Sequence, residues 1–272
     1  MRSSIALFLR TVMGRAYPRV IGSIRQRSWF FWETVLPLLS TTAFVFVYRA
    51  LNAPEEFIGF VVVGGAMTTF WLNVLWSMAA QLYWDRDAGN LGLYIMAPGP
   101  MMAILLGMAL GGMIWTVTRA AIIIAAGWLL FGVHFSTANL GLLLLTFVLT
   151  MAALYGLGML FASLFLVFGR EAWHLNNLFQ EPVYLLSGFY FPVKALGPWV
   201  AAAASIIPLT LGLDAMRQLL FPANPEYGFL PIWQELGIIT LLAVILIAAA
   251  RTSLNWLEMR ARQEGRLTER GG

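Results

Sequence analysis

Two charged residues inside long apolar runs are the first candidates for chemistry. Arg119 lies well inside the run Met101–Phe131, with Trp115 one turn earlier, and Glu181 lies in the run Trp173–Tyr190, followed by Pro182. An ionised group at membrane depth is costly, so it faces a partner or a water-lined path. An Arg119–Glu181 contact is the expected pairing. It would be either a polar point lining or gating a path, or a buried pair holding two helices together; a long helix would also let Arg119 snorkel outward. Asp85 and Asp87 flank Arg86 just beyond another apolar run, a position that suits a helix N-terminal turn. Without a third partner they do not make a catalytic constellation. Glu33, near Arg25 and Arg27, reads as a solvated interfacial acid. His134 and His174 have no nearby ligand set at metal spacing and the chain has no cysteine, so no metal or cofactor is expected on it.

These groups sit in a chain that is 60% hydrophobic and 11% charged. Six runs are each long enough to cross a bilayer: Phe30–Leu51, Ile58–Ala80, Met101–Phe131, Leu140–Phe168, Trp173–Tyr190 and Ile232–Ala250. About 20 apolar residues at 1.5 Å rise match the ~30 Å hydrocarbon core, and a helix satisfies its own backbone there. The fold class is therefore all-α integral membrane, with six transmembrane helices. Residues 1–28 form an amphipathic interfacial helix, 29–250 the six-span domain and 251–272 a basic tail. In the first of these, Ile5, Phe8, Leu9, Val12, Met13 and Ala16 share one face, and Pro18 is expected to end or kink the helix. No cleavable signal peptide is expected.

Charge placement gives orientation. Arg2, Arg10, Arg15, Arg19, Arg25 and Arg27 precede the first span, and Arg251, Arg260, Arg262, Arg266 and Arg270 follow the last. The positive-inside rule places both termini in the cytoplasm. The net charge of +4 then has a topological cause, and no nucleic-acid partner is needed. Trp29, Trp32, Trp84, Trp128, Trp173, Trp199 and Trp233 fall near the expected interfaces, as an aromatic belt does. Gly107, Gly111 and Gly112, with Gly156 and Gly158, put small faces on the third and fourth spans for close packing.

Two connections stand out. Residues 84–100 (WDRDAGNLGLYIMAPGP) present Leu91, Leu93, Tyr94 and Met96 outside the membrane, as a docking site or as an ordinary solvated loop. Residues 191–231 are largely apolar, yet their two helix-like stretches are broken by Pro198, Pro208 and Pro222 and are too short to cross. They are expected to form an outer re-entrant or interfacial pair before the last span.

The segment Ser187–Phe221 resembles the region after the fifth span of type-2 ABC exporter permeases. The resemblance rests on Ser187–Gly188, Phe191–Pro192, Leu196 and Pro198, Pro208 and Arg217. Gly197 separates a Leu and a Pro that are usually adjacent. The loop is similar to that family's coupling helix through Asp85, Arg86, Asp87, Gly89, Leu91 and Pro98, with Gly92 where an acid is frequent. The resemblance implies ABC ATPase subunits as partners, contacted by Asp85, Arg86, Asp87, Leu91, Leu93 and Tyr94. It also implies a second permease copy, identical or different, in a bacterial-type inner membrane.

By the same analogy Phe70, Trp71, Asn73, Phe179 and Tyr184 line a route between two copies, unless they form a packed or lipid-facing stripe. Phe189, Tyr190, Phe191 and Pro192 are the expected outer gate. No GxxxxGK[ST] occurs, so ATP and Mg are expected on a partner ATPase. The reading is a transport subunit exporting an amphipathic or hydrophobic cargo, without a catalytic site of its own. The alternatives are a lipid-modifying membrane enzyme and an ion-coupled secondary transporter; no clear internal repeat supports the latter.

Overall fold

The computed structural model describes residues 2–25, 27–137, 139–168, 172–222 and 225–264. Every regular element among them is helical. The chain runs through α1 (Arg2–Arg25), α2 (Arg27–Ala50) and α3 (Glu55–Leu72), which continues through a π-helical segment (Asn73–Ala79) into α4 (Ala80–Asp87). The short α5 (Leu91–Met96) leads to α6 (Met101–Phe131) and α7 (Leu140–Phe168), then α8 (Ala172–Leu186). After α9 (Pro198–Ala204) and α10 (Pro208–Leu220), α11 (Ile232–Glu264) closes the described fold.

Among the described residues five helices are long and apolar enough to cross a membrane, and the α9–α10 pair, bent by 111°, makes up to six candidates. The runs Met101–Phe131 and Leu140–Phe168 fold as helices with those bounds. The fifth run differs: α8 has 15 residues, about 22 Å of rise against a ~30 Å core, and ends at Leu186. Beyond it the chain turns at Gly188, whose φ of +65° is open to glycine and strained for other residues. At the other extreme, α11 continues past Ala250 into the expected tail, while Arg266 and Arg270 lie outside the described residues.

The continuous helix Glu55–Arg86 is the centre of the bundle and is almost wholly buried, whereas α2 and α11 expose most of their apolar surface. Lipid-facing helices behave this way, because acyl chains solvate leucine as well as a core does. Exposed tryptophans gather near helix ends, Trp128, Trp199 and Trp233 at one end of the bundle and Trp32, Trp84 and Trp256 at the other. Glycines bring the backbones together: a Cβ at Gly107 would meet the Val12 carbonyl at 2.6 Å, and one at Gly111 the Ala16 carbonyl at 2.8 Å. Those contacts seat α1 against α6.

α1 does not stop at Pro18. The carbonyl that proline deprives of a donor belongs to Gly14, which is exposed and open to water, so continuing the helix is cheap. Its apolar residues also divide in two. Val12 is buried against α6, while Ile5, Leu9, Met13, Tyr17 and Ile21 form an outward ridge at four-residue spacing.

Candidate functional site

At the end of the bundle where α1, the 98–100 turn and the C-terminal part of α11 meet, a polar network is built around Asp85. The close α1–α6 approach aims Arg15 and Arg19, four residues apart, at the central helix. Arg15 Nη2 donates to Asp85 Oδ2 at 2.7 Å, and Arg19 Nη1 to Gln81 Oε1 at 3.1 Å. Gln81 Nε2 donates to Asp85 Oδ1 at 3.1 Å and Tyr94 Oη to Asp85 Oδ2 at 2.8 Å. The Arg15 guanidinium also lies over the Tyr94 ring at 5.1 Å. Burial and then the Asp85 charge push the Tyr94 hydroxyl well above its usual range, so it remains a donor at physiological pH. Burial likewise lowers the Arg19 guanidinium, which stays charged.

Asp85 and Asp87 therefore close α4 rather than open a helix. The unfavourable placement of an acid at a helix C-terminus is offset for Asp85 by three side-chain donors. Leu91 is in the core and Tyr94 points back at Asp85, so among the described side chains the outward apolar surface of the loop is Leu93 and Met96, beside half-exposed Trp84. Arg86 is half-buried, and the Asp87 side chain lies outside the described residues.

Arg119 is buried on α6 but does not meet Glu181. Its guanidinium pairs with Glu33 of α2 and donates to Thr116 Oγ1 at 3.1 Å. Glu181 is exposed on α8. The pairing differs from expectation because α2 packs directly on α6. Glu33 is accordingly an ion-pair partner with a largely buried side chain, not a solvated acid.

At the opposite end, Arg217 of α10 gathers four backbone carbonyls. Nη1 donates to Gly188 at 2.7 Å and Phe191 at 3.1 Å, and Nη2 to Phe60 at 2.8 Å and Phe189 at 2.7 Å. Gly64 allows this: a Cβ there would stand 1.5 Å from the Phe189 oxygen. Next to it Gln218 Nε2 donates to Asp214 Oδ2 at 3.0 Å, to the Leu230 carbonyl at 2.9 Å and to Glu235 Oε2 at 3.3 Å, tying α10 to the start of α11. Gly64→Ala is expected to destabilise the fold by at least about 1–3 kcal/mol, since backbone must move to admit the methyl group. Thermal unfolding in detergent checks this, and an unchanged midpoint would contradict the packing.

The sequence has relatives among known proteins. Residues 19–221, well over half of the chain, match the family described as ABC-2 type transporter. This chain belongs to the ABC-2 type transporter family. It is similar to the probable multidrug ABC transporter permease YbhR of Escherichia coli K12, with 26% identity over 173 residues. The same relation holds for YbhR of Escherichia coli O157:H7. The match covers 63% of this chain and 46% of the relative, so the chain spans about half the length of the curated relatives it matches.

Within this ABC-2 type chain the residues expected to form the outer gate are packed against their neighbours. Phe189 is fully buried, packed 5.5 Å from the Tyr184 ring. Tyr190 stacks on Phe44 at 4.1 Å and accepts from Tyr48 Oη at 2.9 Å through its carbonyl. Phe191 engages Arg217 through its backbone, and Pro192 is buried. The expected route-lining residues Phe70, Trp71 and Asn73 are also core positions of a single subunit; Asn73 Nδ2 donates to Tyr155 Oη at 2.9 Å. Within one subunit these three residues are packed, because α6 and α7 cover the central helix. Tyr184 is partly buried, and the Phe179 side chain lies outside the described residues.

Arg15, Arg19 and Gln81 escaped sequence reading as site residues. The four-residue spacings Arg15/Arg19 and Gln81/Asp85 were the available signal.

Proposed function

We propose that this chain is the membrane-spanning subunit of an ATP-driven exporter that moves amphipathic or hydrophobic cargo out of the cytoplasm. The observation that carries the reading, beside family membership, is the α4–α5 reversal. It presents Leu93 and Met96 outward while Asp85 at its base holds Arg15 of α1 and Tyr94 of α5. An element that is rigid at its base and apolar at its tip can receive a stroke from a docked protein and pass it to the bundle. The many arginines of α1 and of the end of α11 support placing this end in the cytoplasm, where an ATPase acts. The chain's single lysine, Lys194, follows Val193, so the nucleotide site belongs to a partner ATPase rather than to a P-loop here. Two copies enclose the path, with lipid around them, in a bacterial-type inner membrane. The multidrug label of the similar permease and the apolar helices support amphipathic cargo.

The test is ATPase association and activity in lipid with a co-expressed candidate ATPase. Leu93→Asp with Met96→Asp is expected to weaken association about tenfold or more, since an interface anchor is worth ~1.4 kcal/mol or above. Asp85→Asn is expected to retain association and lose cargo-stimulated hydrolysis, because it loosens the base and leaves the tip intact. Unimpaired association of the double variant would refute α5 as the docking element.

A further inference from the structure

We propose that Glu181 of α8 is a cargo-recognition residue, and that the cargo it selects carries a positive charge on an apolar body. The proposal rests on the export reading above and narrows its cargo class.

Glu181 stands at membrane depth although α8 is short. Trp76 Nε1 donates to Gln180 Oε1 at 2.9 Å, and the Phe189 carbonyl, just past the end of α8, lies against Gly64. Both contacts fall inside the continuous central span Glu55–Arg86. Trp76 is roughly 15 Å of helical rise from Arg86, so Glu181, next to Gln180, is well inside the hydrocarbon layer. The single chain does not answer its charge. Glu181 is exposed and makes neither an ion pair nor a hydrogen bond with another described residue. Arg119 is taken by Glu33, and Arg217 by four backbone carbonyls.

An ionised acid at this depth is costly, so a cation meets it in the working assembly. A second copy docked through the same face does not supply one. α8 contains no Lys or Arg, and an isologous contact would set one Glu181 toward the other. Two acids facing a common space in a low dielectric deepen its negative potential and draw in a cation from outside the protein. The rest of the exposed face suits an amphipathic ion. Leu178 and Leu185 stand one turn to either side of the acid and offer apolar surface. Tyr184 lies within electrostatic reach of Glu181 and offers a ring to the charged head. His174, two turns toward the start of α8, is the other titratable group among the described residues of that face.

The purified full chain in lipid nanodiscs, without any ATPase, is the sample. A negative result therefore leaves the transporter reading standing, and failure of ATPase association leaves this proposal standing. Tetraphenylphosphonium and tetraphenylborate, ions of similar size and opposite charge, are measured by equilibrium dialysis against empty nanodiscs. The phosphonium is expected to bind in excess over empty discs, and the borate neither to bind in excess nor to compete. Glu181→Gln should weaken phosphonium binding about tenfold or more, the loss of one charge-assisted contact, while Glu181→Asp should retain most of it. The unfolding midpoint of each variant is the fold control, and native mass spectrometry reads the oligomeric state of the same samples. Parent-like phosphonium binding by Glu181→Gln overturns the proposal, as does borate bound by the parent as tightly as phosphonium. Loss of a dimer in Glu181→Gln, with phosphonium binding lost only in step with it, also overturns the proposal and assigns the face to the second copy.

Discussion

Arg217→Ala is expected to destabilise the protein by more than about 4 kcal/mol, enough to remove most folded material from detergent extracts. The guanidinium is 2% exposed and donates to four carbonyls on two segments, the Gly188–Phe191 turn and Phe60 of the central helix. Each such bond from a charged donor contributes about 1.5–3 kcal/mol, and its loss takes a donor away from a buried carbonyl. Phe60 adds a cation–π contact, with the guanidinium carbon 5.3 Å from the ring centre. Arg217→Lys keeps the charge but offers three donors from one nitrogen, too few and too compact for four acceptors on two segments. Its midpoint should fall between parent and alanine. Purified yield and thermal unfolding in one detergent decide the matter; an alanine variant within about 0.5 kcal/mol of the parent would mean that those carbonyls find other donors.

The spans were legible because they depend on properties carried by contiguous sequence. Met101–Phe131, with Arg119 its one charged residue, and Leu140–Phe168 are long apolar runs bounded by turn chemistry, and their helices keep those bounds. The bent α9–α10 pair was legible for the same reason: Pro198 and Pro208 each stand at the first position of a helix too short to span. Pairings were not legible, because they depend on which helices become neighbours. Arg15 lies 70 residues from Asp85, and nothing local to either residue predicts that α1 will lie along α6. The glycines Gly107 and Gly111 announced a close approach without naming the partner. Phe189 shows the same limit. By resemblance Phe189 belongs to an expected outer gate, and only the folded chain shows its ring in the core and its carbonyl held by Arg217.

The membrane ion pair offers the sharpest contrast between the two levels. If Arg119 pairs with Glu33, Glu33→Gln should leave a buried guanidinium uncompensated and cost about 3–5 kcal/mol. Arg119→Gln should be milder, because Glu33 keeps 24% of its side-chain surface exposed and can recruit water or headgroup partners. The double variant Glu33→Gln with Arg119→Gln should recover much of the single loss, since two neutral amides at hydrogen-bonding distance need no counter-charge. Glu181→Gln, on the exposed face of α8, should change stability by no more than about 0.5 kcal/mol in the isolated chain. Unfolding midpoints of the four proteins complete a double-mutant cycle, whose coupling term isolates the pair. A coupling near zero for Glu33 and Arg119, with a large loss for Glu181→Gln, would restore the pairing that span composition alone suggested. The cycle also bears on transport, because α2 and α6 flank the Asp85 network. A loosened Glu33–Arg119 contact weakens the hold of α2 on α6 at the end where the ATPase is expected to dock, so uncoupled hydrolysis should rise even in variants that still fold.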